Sequence, residues 1–429
     1  MKKWSILLLF LLLPALFAAR VRIIPEGKHD FKIGEKVTFL VTALDNKNQK
    51  MAKGTFTLTF HKSGGAELQK PVKIDLSRGN PVKVTASMNE SGFILVKASP
   101  CTMPDKKVIR WGRNPWDHLG GAAIEPEKLR PGNPEPGDFD AFWKKTLKEF
   151  EKAKVIVTPE KTVKRKGYKV ARIQILFPDG TGSIHGFLSI PEGKGKFPAV
   201  AGVPGAGPGN ISTIPFWAPG KKAISLWLNV FPYPPAGNMK EQRRLYSQYR
   251  KKLGISYFYY KAADKNAYVY RNIWGAVNRG VDFVASLPQF DGKNFAMAGN
   301  SQGGATALAI GGLNQKISCI VASVPALSDH GGWKKGRQSG WPNLHNTLKG
   351  KADKTAPYYD VASFAARIKV PTLLSVGYID TTCSPSSVYC AINNLKGPKT
   401  VLKMPRHGHR SDRRFRKMAS SFMDKHLSR

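Results

Sequence analysis

Apolar and polar residues alternate along the first hundred residues of the chain, once a leading apolar stretch has passed. Residues 37–43 alternate with a period of two, as do two later groups. These groups are Phe56, Leu58 and Phe60, and then Val82, Val84, Ala86 and Met88. Glycine- and asparagine-rich turns separate them at short spacing. This pattern predicts a small antiparallel β-sandwich over residues 20–100.

The predicted sandwich is immunoglobulin-like in size and contains no catalytic constellation. We expect it to act as a spacer or lid support, with glycan binding as the alternative. Residues 101–137 are dense in Pro and Gly, which predicts a linker. Trp111, Trp116 and His118 lie in this segment. Aromatic side chains in such a loop can form a carbohydrate platform, but we favour the interpretation that they pin the linker to a neighbouring domain.

From residue 138 the pattern changes to helices and uninterrupted apolar strands. Asp138 begins an amphipathic helix, and alternating strand and helix patterns follow from residue 168. Repeated βα units with fully apolar strands predict a mostly parallel sheet covered by helices on both faces. We therefore expect an α/β catalytic domain over residues 138–429. A long aromatic and basic region at 210–262, which includes Trp217 and Trp227, is predicted to be an insertion around the pocket.

The leading apolar stretch predicts export. Lys2 and Lys3 precede the apolar run 6–13, and the small residues Ala18 and Ala19 follow it. This arrangement is typical of a signal peptide, here residues 1–19, and the run is shorter than the roughly 20 residues that span a bilayer. We expect a secreted or periplasmic protein with no membrane insertion after cleavage; an N-terminal membrane anchor is the alternative.

Composition adds a strong positive charge and few cysteines. The 68 Lys and Arg residues against 29 Asp and Glu residues give a net charge of +39. We interpret it as a generally basic surface, with attraction to acidic polysaccharide as the sharper alternative. No nucleic-acid-binding motif organises the charge. Four cysteines are too few for a disulfide scaffold, so we expect either one disulfide or four inert thiols. No spacing of residues indicates a metal site or another cofactor.

The candidate nucleophile is Ser301, in Gly299-Asn300-Ser301-Gln302-Gly303. A Gly-x-Ser-x-Gly sequence between a predicted strand and a helix of small residues is typical of the strained turn that exposes a catalytic serine. The residues flanking the serine must lack side chains because the turn is so tight. The backbone N–H of Gln302 and one near Ala206, in a glycine loop after an earlier strand, are the candidate oxyanion donors.

The serine needs an acid and a histidine from later strand ends. Asp380 directly follows the buried strand 371–376 and fits best, whereas Asp353 and Asp360 precede that strand. Asp329, beside His330, could shape the pocket instead. Two histidines follow the last strand, His407 and His409, and spacing alone does not choose between them.

These residues resemble the acetyl xylan esterase and cephalosporin-C deacetylase family of α/β-hydrolase carbohydrate esterases, over roughly residues 122–425. The similar segments are the helix beginning Asp138-Phe139-Asp140-Ala141-Phe142-Trp143, the elbow with Gly304, Val324-Pro325, and Asp380 followed by Cys383 and Pro385-Ser386. The sandwich is an addition to this catalytic domain.

The resemblance implies a metal-free Ser301, Asp380 and His409 triad, with Gln302 and Ala206 as oxyanion donors. It favours His409 because the family's histidine lies four residues after a proline, here Pro405. The family usually has a tyrosine at the position of Ala206, and an acidic residue where Arg410 follows the histidine. The family's ring-shaped homo-oligomer is a further expectation that the added sandwich puts in question.

Together these features predict an exported serine esterase that deacetylates acetylated sugars or xylan-type polysaccharides through an acetyl-enzyme intermediate. Two rival functions remain. One is a peptidase on the same fold, although such enzymes usually carry a larger gating domain. The other is a non-catalytic glycan-binding protein, against which the complete triad argues.

Overall fold

The computed structural model describes residues 18–112, 114, 116–209, 220, 222–410 and 412–428. The predicted signal peptide lies almost entirely outside the described residues, and so does Trp217. None of the helices in the described ranges is both long enough and apolar enough to cross a membrane.

Ten strands form the N-terminal region. They are β1 (Arg20–Pro25), β2 (Asp30–Phe31), β3 (Val37–Leu44), β4 (Thr55–Lys62), β5 (Glu67–Asp75), β6 (Val82–Ala86), β7 (Gly92–Ala98), β8 (Cys101–Thr102), β9 (Val108–Ile109) and β10 (Leu119–Ile124). One sheet has the order β1-β3-β6, and the other has the order β2-β10-β7-β4-β8-β9, with β5 paired to β4. The strands pair antiparallel except for β2 with β10.

The alternation of residues explains why these strands stack as a sandwich. In β3 the side chains of Val37, Phe39 and Val41 are buried, and the residues between them are half-buried. They share one apolar core with residues of the second sheet such as Leu58 and Val96. The two sheets therefore bury their inner faces against each other.

The second sheet extends beyond the predicted boundary at residue 100. Three of its strands, β8, β9 and β10, come from the segment predicted as a linker. Strand β10 has the sequence Leu-Gly-Gly-Ala-Ala-Ile and is buried at every position, so it shows no alternation. A Cβ on Gly120 would lie 2.5 Å from the backbone oxygen of Ile23, so close packing explains the small residues.

Nine strands and eight helices are described in the C-terminal region. The strands are β11 (Val155–Pro159), β12 (Tyr168–Leu176), β13 (Ser183–Pro191), β14 (Phe197–Gly202), β15 (Ile224–Leu228), β16 (Phe290–Asn300), β17 (Cys319–Ser323), β18 (Thr372–Gly377) and β19 (Lys399–Met404). The helices are α1 (Phe139–Glu151), α2 (Met239–Leu253), α3 (Val269–Ala285), α4 (Gln302–Leu313), α5 (Leu344–Thr347), α6 (Val361–Ala365), α7 (Pro385–Asn394) and α8 (Arg413–His426). Short 3-10 helices cover Leu76–Arg78, Pro126–Lys128, Tyr257–Tyr259, Gly332–Lys335 and Ala356–Tyr359.

These strands form one sheet in the order β11-β12-β13-β15-β14-β16-β17-β18-β19. Strands β11 to β13 and β15 pair antiparallel along one side, and every pair from β15 to β19 is parallel. Helices α1, α3 and α4 share the large core, whereas α8 packs with residues of the opposite sheet face. The predicted mostly parallel sheet covered on both faces is confirmed.

The region 210–262 is not wholly an insertion, because β15 lies within it and between β13 and β14 in the sheet. All five residues of β15 are buried. Burial at every position is typical of a strand covered on both faces, but Ser225 interrupts the apolar run of β15, so the sequence pattern did not mark it as a buried strand.

The sandwich packs directly on the loops and strands at one end of the large sheet. The Tyr378 hydroxyl donates to Asp30 at 2.7 Å, and Lys403 pairs with the same carboxylate at 3.1 Å. The ring of Phe93 makes an edge contact with Tyr378, with centroids 5.0 Å apart. Since Tyr378 precedes Asp380 by two residues, the sandwich supports the loop that carries the candidate acid.

Candidate active site

Ser301 occupies a strained turn between β16 and α4. Its backbone has φ 55° and ψ −119°, which a non-glycine residue rarely adopts. The turn is held by the Ser301 N–H, which donates to Ser323 O at 2.9 Å, and by the Ala326 N–H, which donates to Ser301 O at 3.1 Å. Both bonds tie the elbow to the end of the neighbouring strand, β17, and its following loop. Strain of this kind presents the serine hydroxyl beyond the sheet edge.

Gly299 and Gly303 lie two positions before and after Ser301, and each has other backbone atoms too close to allow a side chain. A Cβ on Gly299 would lie 2.2 Å from the backbone of Gly303. A Cβ on Gly303 would lie 2.2 Å from the carbonyl oxygen of Val203, at the start of the glycine loop. The predicted need for residues without side chains therefore has a direct steric cause.

His409 lies between Ser301 and Asp380. Its Nε2 is 2.9 Å from Ser301 Oγ, and its Nδ1 is 2.8 Å from Asp380 Oδ2. With the proton on Nδ1, the ring donates to the carboxylate and accepts from the serine hydroxyl. The histidine comes from the loop after β19 and the acid from the loop after β18, as predicted for strand ends on one sheet edge.

The loop itself fixes the Asp380 carboxylate. Its Oδ1 accepts the backbone N–H groups of Thr382 at 2.8 Å and Cys383 at 2.9 Å. The side chain is buried, so Oδ2 remains directed at His409. Two backbone donors and one ring donor thus hold a single orientation of the carboxylate.

His407, the other histidine left open by spacing, lies elsewhere. Its Nδ1 is 3.3 Å from Asp412 Oδ2. Burial and the nearby Arg410 and Arg414 guanidinium groups lower the pKa of His407 below its ordinary value. The structure brings His409, and not His407, to Ser301 and Asp380.

The electrostatics of His409 favour its protonated form. Burial opposes protonation of the ring, yet the Asp380 carboxylate beside Nδ1 raises the pKa of His409 above its ordinary value. Burial also raises the pKa of the Cys383 thiol. Stabilising the imidazolium is what the intermediate of a serine-nucleophile reaction requires.

The two predicted oxyanion donors come from adjoining segments. Gln302 is the first residue of α4, where backbone N–H groups have no acceptor within the helix. Ala206 belongs to the glycine loop, and a Cβ on its neighbour Gly205 would lie 3.8 Å from Ser301 Cβ. The glycine loop therefore lies directly against Ser301.

The side chain of Gln302 locks these two segments together, which the sequence did not indicate. Its Oε1 accepts hydrogen bonds from the Tyr257 and Tyr270 hydroxyls, the latter at 2.7 Å. Its Nε2 donates to Pro204 O at 3.3 Å, just before the glycine loop. The two tyrosines lie 32 and 45 residues before Gln302 in the chain, so no sequence motif connects them to it. The aromatic region that contains Tyr257 was the one sequence feature that pointed toward these contacts.

The remaining acids have structural partners of their own. Asp329 accepts from Gly132 N–H at 2.7 Å and pairs with Arg337 at 2.8 Å. Asp360 caps α6 and accepts the backbone N–H groups of Asp329 and His330. Asp353 lies 3.0 Å from His345. None of these hydrogen bonds connects the three acids to Ser301.

The four cysteines are buried free thiols in the structure. Across the described ranges, no group of three or more His, Cys, Asp and Glu side chains is arranged to hold a metal ion.

The chain is similar in sequence to known proteins over most of its length. The sequence model of the acetyl xylan esterase (AXE1) family matches residues 125–426. The chain belongs to the acetyl xylan esterase (AXE1) family. It is also 32% identical over 348 residues to acetyl esterase Axe7A of Xylanibacter ruminicola, a match that covers 79% of this chain and 75% of that protein. Membership in this family makes the chain a carboxylic ester hydrolase of the deacetylating kind.

Solved structures of acetyl xylan esterases share its fold. That of the Paenibacillus sp. R4 enzyme has a TM-score of 0.58 at 23% identity, covering 71% of this chain and 99% of its own. Acetyl xylan esterase 1 from Thermoanaerobacterium sp. JW/SL YS485 has a TM-score of 0.57 at 20% identity, with 70% and 97% coverage. The predicted α/β-hydrolase fold, preceded by an antiparallel sheet region, is confirmed.

Proposed function

We propose that this acetyl xylan esterase family member removes acetyl groups from sugars or xylan-type polysaccharides through a Ser301, His409 and Asp380 triad. The observation that carries the proposal is the continuous hydrogen-bond chain from Ser301 Oγ through the His409 ring to Asp380. Its two heavy-atom distances, 2.9 and 2.8 Å, lie within the range for proton transfer between a nucleophile and its base.

Acylation begins when Ser301 Oγ attacks the acetyl carbonyl carbon and His409 Nε2 takes the hydroxyl proton. The carbonyl oxygen becomes an oxyanion, which the backbone N–H groups of Gln302 and Ala206 stabilise. Asp380 holds the ring and stabilises the imidazolium. As the tetrahedral intermediate collapses, the bond to the sugar oxygen breaks and Nε2 returns the proton to that oxygen.

Deacylation repeats the same geometry with water. Nε2 of His409 takes a proton from the water molecule, whose oxygen attacks the acetyl carbon on Ser301. The second intermediate collapses by breaking the bond from the acetyl carbon to Ser301 Oγ, which regains the proton from Nε2. Acetic acid leaves and ionises to acetate in water. Apart from the substrate and water, these steps use only groups of this chain, because each proton that Nε2 takes from a nucleophile is returned to a leaving oxygen.

Support for an acetylated carbohydrate substrate comes from the relatives. The two solved structures described above are named acetyl xylan esterases, and the Xylanibacter relative is named an acetyl esterase. We extend those substrate names to this chain as part of the proposal.

The test is acetate release from acetylated xylan and p-nitrophenyl acetate by Ser301→Ala. Removal of the nucleophile should lower kcat by about 10⁴-fold or more while the folded state remains. Ser328→Ala is the matched control, since the Ser328 hydroxyl is buried with no hydrogen-bond partner among the described residues. Retained activity in Ser301→Ala would overturn the proposal, as would an equal loss in both variants.

We also propose that residues 1–19 direct export and are removed, so that the mature chain begins near the first strand of the sandwich. N-terminal sequencing of protein recovered outside the cytoplasm of a bacterial expression host tests this. We expect a first residue close to Arg20; an intact Met1 in exported protein would contradict it.

A further inference from the structure

A cleft of about 210 Å³ opens between the sandwich and the catalytic domain. One wall is β1, another is Trp116 with the start of β10, and the third is formed by Ile379, Pro405 and Arg406. Binding sites for whole drug-sized ligands usually have about 300–1,000 Å³. This cleft therefore has room for one substituent or one sugar unit rather than a chain.

The charged groups around the cleft are mainly cationic. Arg20, Arg22 and Arg406 line it, against the single carboxylate of Asp117. That carboxylate already accepts the backbone N–H of Asn114 at 3.0 Å. Arg22 and Arg406 are exposed, and neither forms an ion pair with a carboxylate in the described part of the chain.

One imidazole also lines the cleft. His29 lines the cleft, and its Nδ1 is buried without a hydrogen-bond partner among the described residues. Burial and the nearby Arg406 guanidinium lower the pKa of His29, which keeps the ring neutral at pH 7. The neutral ring adds no positive charge, so the cationic groups of the cleft are its arginines.

The cleft adjoins both loops of the proposed triad. Ile379 immediately precedes Asp380, and Arg406 lies three residues before His409. Trp116 packs against the same histidine loop, since a Cβ on Gly408 would lie 2.7 Å from its ring. A ligand in the cleft would therefore contact the segments that position the acid and the base.

We propose that this cleft binds the carboxylate of a uronic acid unit on the acetylated polysaccharide, with Arg22 and Arg406 as its cationic ligands and Trp116 as the surface for the sugar ring. The inference rests on the proposed function for one point, that the substrate is an acetylated carbohydrate. It gives a specific recognition role to two of the 68 Lys and Arg residues that produce the net charge of +39.

Physical chemistry favours this ligand over a neutral sugar. Guanidinium groups match the geometry of a carboxylate and form charge-assisted hydrogen bonds with it. The indole of Trp116 packs against Gly408 and is half-buried, and the part of the ring that lines the cleft can contact the apolar C–H face of a sugar. A free inorganic anion would use the arginines but gain nothing from the indole.

Substrate discrimination tests the site through catalysis. We would measure kcat/KM for acetylated xylo-oligosaccharides with and without a glucuronic acid substituent. The wild-type protein should prefer the acidic substrate. In the double variant Arg22→Gln/Arg406→Gln that preference should fall about tenfold, mainly through KM, because two charge-assisted contacts are lost.

The matched control is Arg78→Gln/Lys107→Gln, which removes two exposed charges of the sandwich away from the cleft. It should keep the preference. An equal fall of the preference in both double variants would show that net charge alone causes it and would contradict the proposed site. An unchanged preference in the cleft variant would also overturn the proposal. Circular dichroism of each variant verifies the folded state.

A binding measurement separates this proposal from the proposed function. Calorimetry with deacetylated glucuronic-acid-substituted xylo-oligosaccharide involves no ester chemistry, so it is independent of Ser301. Tighter binding than to the unsubstituted oligosaccharide, lost in the cleft variant, supports the site. Equal binding of the two oligosaccharides contradicts it even if acetate release depends on Ser301 as proposed. Binding of free sulfate with equal strength would mark an anion site without carbohydrate recognition.

Discussion

Asp380 with His409 and Asp329 with His330 are two acid–histidine pairs on loops at the same edge of the large sheet. Asp329 and His330 follow β17, and Asp380 follows the adjacent strand β18. Both acids are fully buried. The difference is in their partners, because His409 connects Asp380 to Ser301 while Asp329 is paired with Arg337.

The titration properties of the two clusters also differ. Burial raises the pKa of Asp329 to about 6, although Arg337 opposes the shift, and burial lowers the pKa of His330 to about 4. Burial likewise raises the pKa of Asp360 to about 6. These groups have large shifts with no reactive neighbour. A shifted pKa therefore reflects burial in this molecule, and a shared hydrogen-bond chain to Ser301 is what distinguishes the proposed catalytic pair.

The largest expected difference between the clusters is in catalysis. Asp380→Asn should lower kcat by about 10⁴-fold, because an amide favours the wrong tautomer of His409 and cannot stabilise the imidazolium. Acetate release from p-nitrophenyl acetate measures it. His409→Gln should give a loss of similar size, whereas His407→Gln, two residues away, should retain activity. Comparable losses in both histidine variants would contradict the assignment.

The corresponding change in the second cluster should affect stability instead. Asp329→Asn leaves the Arg337 guanidinium, whose side chain is only 10% exposed, without its ion-pair partner. We expect the free energy of unfolding to fall by about 3 kcal/mol, while kcat of the folded protein stays within a few-fold. Urea denaturation measures the loss. Asp353→Asn, at a half-exposed pair, should change stability by less than about 1 kcal/mol; the opposite ranking would be inconsistent with this comparison.

A smaller effect should come from the support of the oxyanion donor. Tyr257→Phe removes one of the two hydroxyl groups that hold Gln302 Oε1, and kcat should fall about tenfold, as expected for one buried hydrogen bond. Tyr268→Phe is the control, because Tyr268 is equally buried but donates to Phe258 O at 2.8 Å. Equal kcat values for the two variants would indicate that the Gln302 contacts do not position the donor.

The smallest effect concerns pH. The pKa of His409 is raised above its ordinary value, and the ring must be neutral to accept the serine proton. Activity is therefore lost as pH falls through this raised pKa. The acidic limb of kcat/KM should have its midpoint above the 6.5 of an ordinary histidine. A midpoint below 6.5 would show that burial outweighs the Asp380 carboxylate.

The elbow at Ser301 and the parallel βα pattern could be predicted because their signals are local. Gly299 and Gly303 predict a tight turn, and the apolar runs before Ser301 and Asp380 predict buried strands. The choice between His407 and His409 could not be made from spacing, because both follow the last strand within five residues of its end. The family resemblance favoured His409, and the hydrogen bonds of the folded chain bring His409 to Ser301 and Asp380.

What the sequence did not indicate depends on contacts between distant segments. Strand β10 has small residues because it packs against Ile23 and Tyr378, which are far away in the chain. Tyr270 holds Gln302 from a different helix. Neither contact produces a period or a motif, so neither could be inferred from hydrophobic pattern alone.

Labelling with a fluorophosphonate, followed by peptide mass mapping, tests the central claim most directly. Such reagents phosphonylate a serine only when a neighbouring base activates it and an oxyanion site receives the phosphonyl oxygen. We predict one adduct per chain, on the peptide containing Ser301, with acetate release lost in proportion to labelling. An adduct on another residue, or full activity after complete labelling of Ser301, would contradict the assignment of Ser301 as the nucleophile.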